Sequence, residues 1–104
     1  MSNEEQDLVF RQIADKVIDL ANDHLAEYDP VFVSTALLFG VSRFCAFAAA
    51  SQAETVDQFQ QDKKPAAEYY RNEYSRMLTE NLDDYETHLQ STLKYGHLMK
   101  PSNE

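Results

Sequence analysis

Between Ala36 and Ala50 the chain reads ALLFGVSRFCAFAAA, a stretch in which only Ser42 and Arg43 are polar. A helix that is apolar nearly all round must be covered on every side by protein or by lipid. Its neighbours in sequence are acidic and amphipathic, and the chain carries a net charge of −9, so this helix is expected at the centre of whatever forms. On a helical wheel its bulky face holds Leu37, Leu38, Val41, Phe44 and Cys45. The opposite face is dominated by small residues, Ala36, Gly40, Ala46 and Ala50, with Phe39, Arg43 and Phe47 among them. Both faces require cover.

The flanking segments supply part of it. Ser2-x-x-Glu5 has the form of a capping box, each side chain placed to accept from the other residue's backbone N–H. Phe10, Ile13, Ala14, Val17, Leu20, Ala21, His24, Leu25 and Tyr28 then recur at helical spacing and predict a first helix running to Asp29-Pro30. The residue before a proline is pushed out of the α region, so Asp29 caps a second helix that opens on Pro30 and turns back antiparallel to the first. The second helix either stops near Ser51 or follows Val56 and Phe59 to about Gln61. Lys64-Pro65 marks the start of a third, striped with Ala66, Tyr70, Tyr74, Met77, Leu78, Leu82, Tyr85 and Leu89 and finishing before Gly96. Residues from about 92 to 104 read as a tail. The expected fold is all-α, an up-down-up three-helix bundle in one domain over 1–104. With only two partner helices in the chain, the surplus surface at Ala36, Phe39, Gly40 and Phe47 is expected to close against a second copy in a homodimer.

Several function classes are disfavoured. The one cysteine, Cys45, allows no internal disulfide and sits on the apolar helix, where a thiol is poorly reactive. The opening MSNEEQDL is acidic where a secretory signal would be basic, which favours a cytoplasmic protein. Val31 to Ala50 is long enough for a bilayer, but it contains Ser34, Thr35, Ser42 and a central Arg43, and Glu27, Asp29, Glu54 and Asp57 flank it, so no membrane partner is expected. Residues 1–29 hold eight acids and two bases. That field repels phosphate backbones and attracts basic partners, and Lys63-Lys64 is far short of a nucleic-acid patch.

Three polar residues interrupt the apolar stripes: His24, Arg43 and Asn81. A buried arginine needs a carboxylate or several carbonyls, and Glu80, Asn81 and Asp84 are the nearest suppliers on a facing helix. A second helix reaching Gln61 would set Arg43 level with Asn81; one stopping at Ser51 would not. The arrangement is either a structural staple or, with His24 nearby, a pocket for an anionic ligand. No metal or other cofactor is expected. There is no Glu-x-x-His or His-Glu-x-x-His, the two glycines lie too far apart for a phosphate loop, and ENLDDYE lacks the central glycine of a calcium loop.

STALLFGVSRFCAFAAAS, from Ser34 to Ser51, and MLTENLDDYETHL, from Met77 to Leu89, resemble a family of short bacterial cytosolic proteins classed as a domain of unknown function. The resemblance implies a small helical protein and transfers no catalytic residue. The residues themselves favour a non-enzymatic helical interaction module, a homodimer whose acidic exterior meets a basic protein partner. Two alternatives stay open: a binder or enzyme for a small anionic ligand around Arg43 and Asn81, and an acidic mimic of nucleic acid.

Overall fold

The computed structural model describes residues 2–94. Among them the protein is all-α, with α1 at Asn3–Asp23, α2 at Pro30–Ser51, α3 at Val56–Lys94 and no strand. Two compact units divide the chain: α1 and α2 belong to the one ending at Ser51, and α3 to the one beginning at Gln52.

At the start of α1 the Glu5 N–H donates to Ser2 Oγ at 3.2 Å, and the Ser2 hydroxyl donates to Glu5 Oε1 at 3.2 Å. Half of the capping box therefore forms as expected, while the return bond runs between side chains. The helix ends at Asp23, short of the Tyr28 that its apolar stripe reaches. His24 is the C-cap, and the N–H groups of Glu27 and Tyr28 both donate to its carbonyl, at 3.2 and 3.0 Å. The early stop follows from Asn22 and Asp23, weak helix formers placed where the helix end is negative and no base offsets it.

Asp29 caps α2 as the sequence suggests: its Oδ2 accepts the Val31 N–H at 2.9 Å and its carbonyl accepts that of Val33 at 3.0 Å. Farther along, the helix satisfies its own hydroxyls. Ser34 and Thr35 donate to the Val31 carbonyl at 2.7 and 3.1 Å, Ser42 to that of Phe39 at 2.8 Å, and Ser51 to that of Ala48 at 2.7 Å. The outer surface of α2 is thereby more apolar than its composition implies.

Of the two ends considered for α2, the one at Ser51 forms. The start expected for α3 at Lys64-Pro65 is corrected: the helix begins at Val56 and passes through Pro65. Thr55 explains the difference, since its Oγ1 accepts the Gln58 N–H at 3.0 Å and its carbonyl that of Phe59 at 3.0 Å, a serviceable N-cap. Pro65 lacks the N–H that would bond the Gln61 carbonyl. Downstream, Arg76 donates to Glu73 and Glu80 at 3.3 Å each, and the Glu73 hydrogen bond and charge, with Glu80 behind them, raise the arginine's pKa further. The stop expected at Gly96 and most of the expected tail lie outside the described residues.

Candidate functional site

Val33, one turn into α2, is the buried apolar residue of the described chain, at 7% exposure. Seated beside the Asp29 cap, it fixes the rotation of α2. The side turned toward α1 becomes Val33, Ala36, Leu37, Gly40, Val41 and Phe44, a stripe at helical spacing. Across from it stand Val17, Leu20, Ala21 and His24 of α1, and between the two helices runs an open groove of about 690 Å³. Tyr28 and Phe32 close its turn end, their ring centroids 5.6 Å apart, with the His24 ring 6.4 Å from Tyr28.

This stripe cuts across both faces assigned from the wheel. It takes Leu37, Val41 and Phe44 from the bulky face, and Ala36 and Gly40 from the small one, because the seat of Val33 sets the rotation and the wheel alone does not. The four proposed interface residues are accordingly split. Ala36 and Gly40 line the groove, whereas Phe39 and Phe47 do not and are 69% and 64% exposed. Phe47 leans on Phe44 with centroids 5.7 Å apart. A Cβ added at Gly40 would meet nothing within 4 Å, so α1 does not use the close approach that a glycine permits.

Chemically the groove is an apolar receptor. His24 and Tyr28 are its polar-tipped lining residues. Cys45 is a half-buried free thiol outside it. Among the described residues no three histidine, cysteine or acidic side chains gather as a metal site would require.

Arg43 does not line the groove; it is exposed and makes no hydrogen bond or ion pair with a described residue. An exposed guanidinium keeps its hydration, which removes the need for a buried counter-charge. Of its expected partners, Glu80 is engaged by Arg76, and Asn81 and Asp84 are exposed on α3, in the other unit. The extension of α2 to Gln61 that would set Arg43 level with Asn81 does not form. Asp84 instead borders a shallow recess along α3 with Tyr85, Thr87, His88 and Ser91, where the Tyr85 and His88 rings meet edge-on at 6.2 Å.

The outer face of α1 is charged. Asp15, Asp19 and Asp23 follow one another at four-residue spacing, on the side of the helix away from Val17, Ala21 and His24. No cation lies within ion-pair distance of them among the described residues, where the ion pairs are those of Arg76. The aromatic corner at His24, Tyr28 and Phe32 escaped the sequence reading, although its four-residue spacing across Asp29-Pro30 was a usable signal.

By length and composition α2 would also suffice to cross a membrane, with a mean hydropathy of 1.8 over its most apolar window, 6% of which is buried. One such helix is weak grounds for a span, because the central helix of a soluble protein passes the same test. A family model described as "Protein of unknown function (DUF3144)" matches residues 10–86, which take in every residue lining the groove. No curated protein and no solved structure matches the chain.

Proposed function

The chain belongs to the DUF3144 family of proteins of unknown function, and we propose that it is a non-enzymatic helical interaction module whose acidic α1 face meets a basic protein partner. The supporting observation is the uncompensated row Asp15, Asp19 and Asp23. Like charges four residues apart on a helix oppose one another by a few tenths of a kcal/mol per pair, roughly 0.2–0.5. Asp19 and Asp23 add to this by standing near the negative end of α1, with no base in its last turn. A partner presenting lysines or arginines at matching spacing relieves both effects, so binding gains what the free helix loses.

The test is fluorescence anisotropy with a lysine-rich helical peptide against the full chain and its Asp15→Asn, Asp19→Asn, Asp23→Asn triple variant. The triple variant is expected to bind about tenfold more weakly, roughly 1.4 kcal/mol, and to show a shallower dependence on salt. Equal affinity of the two proteins, or salt-independent binding, would remove the acidic face from the function.

A further inference from the structure

We propose that Val56–Lys64, the first nine residues of α3, open and close as one unit, so that α3 alternates between a helix starting at Val56 and one starting at Pro65. Opening lengthens the chain that leads from the unit ending at Ser51 to the body of α3. The proposal goes beyond the acidic face of α1 and does not depend on it.

Three observations carry it. The first is a defect in the closed helix. Pro65 lies inside α3, offers no N–H to the Gln61 carbonyl, and crowds that carbonyl with its ring. It also disfavours the helical conformation at Lys64, the residue before it. Both penalties vanish when the helix begins at Pro65, because the N–H of a first helical residue has no intrahelical partner to lose and a proline's φ already suits that position.

The second observation is that each side of Lys64-Pro65 has helix ends of its own. Before it, Thr55 Oγ1 accepts the Gln58 N–H at 3.0 Å, Asp57 stands in the first turn, and Lys63 and Lys64 close the segment, so acid and base match the poles of a short helix. After it come a proline at the first position and Glu68 in the first turn, the marks of a fresh start. In sequence, α3 is two helices joined end to end.

The third is how the two sides are tied. Gln58 bonds Asp62 at 2.8 Å before Pro65, and Arg76 bonds Glu73 and Glu80 after it, but among the described residues no side-chain hydrogen bond or ion pair joins one side to the other. None of the nine residues is buried, and Phe59 and Asp62 are half-buried. A helix of nine residues is also shorter than the ~12–15 needed for a marginally stable isolated helix in water. Once its continuity with Pro65 is lost, the segment therefore melts whole. As a helix it spans ~14 Å, and as an extended chain it reaches ~30 Å, so opening roughly doubles the length it supplies.

The experiment is native-state amide hydrogen exchange, read residue by residue by NMR, on the full chain and on Pro65→Ala. In the wild-type protein the amides of residues 59–64 are expected to share one protection factor, at least a hundredfold below that of residues 70–82, with the step at Pro65. Pro65→Ala is expected to raise the protection of residues 59–64 at least tenfold and to replace the step with a gradual rise along α3, because no residue then marks a preferred new start. Equal protection on both sides of Pro65 in the wild-type protein would show a helix that opens only as a whole, and a gradual rise there would show ordinary end fraying. Amides at residues 59–64 without any protection would show a segment that never closes, and a step that survives Pro65→Ala would show that the proline does not set the boundary. Each of these four results would overturn the proposal.

Discussion

Helices α2 and α3 solve the problem of stability in opposite ways. Along its 39 residues α3 carries its own local supports: the Thr55 cap, a Gln58–Asp62 side-chain bond at 2.8 Å, and Arg76 between Glu73 and Glu80. Most of its charged residues are exposed, Arg76 and Glu80 among them. Helix α2 is capped at Asp29, turns its hydroxyls onto its own carbonyls, and has Val33 as its one buried residue. Local devices thus hold α3 together, whereas α2 depends on burial that the α1–α2 hairpin supplies only at its turn. The contrast separates a helix stabilised by its surface from one stabilised by what covers it.

The largest effect that would sharpen this contrast is expected at Pro65. Pro65→Ala restores a backbone N–H to the interior of α3 and should stabilise the chain by about 3 kcal/mol, read as a higher urea midpoint with an unchanged slope. No change at all would mean that the segment before Pro65 contributes no helix, which would restore the later start expected from Lys64-Pro65.

A smaller loss is expected from Val33→Ala. Removing the buried apolar groups costs about 1.5 kcal/mol, and because the seat of Val33 sets the rotation of α2, amide exchange in α2 should accelerate more than in α3. Equal acceleration in both helices would erase the distinction between them.

The smallest effect belongs to Arg76→Ala, where the side chain and both carboxylate partners are exposed. A slight fall in melting temperature is expected at low salt, and it should vanish near 1 M salt, where the screening length is ~3 Å. A large or salt-insensitive loss would show that α3 depends on packing in the manner of α2.

The starts of α1 and α2 were legible because Ser2 and Asp29-Pro30 act through short-range geometry that sequence spacing encodes. Thr55 acts by the same means, but Pro65, a stronger signal read as a first turn, obscured it; a proline inside a helix is costly and so is a poor prior, yet α3 absorbs it. The end of α1 was misplaced because the apolar stripe continues into the turn through Leu25 and Tyr28, where periodicity persists after the helix has stopped. At the candidate site, the apolar character of α2 was plain, while its rotation was not. A helix apolar all round has no preferred face of its own, and one contact, at Val33, makes the choice. Arg43 shows the converse error: a charge within an apolar run suggested burial and a partner, but whether it needs one depends on exposure, which spacing does not encode.

The location of that one contact has a mechanical consequence. With Val33 at the turn, the hairpin is a pair of tongs pivoting at its closed end, and α1, at ~1.5 Å per residue, forms an arm of about 30 Å. Swinging that arm by about 10° moves its free end by ~5 Å. The span between the tips near Asn3 and Ser51 is therefore governed by a joint at the far end of both arms, so that a change of one side chain at the pivot is magnified into a change in grip.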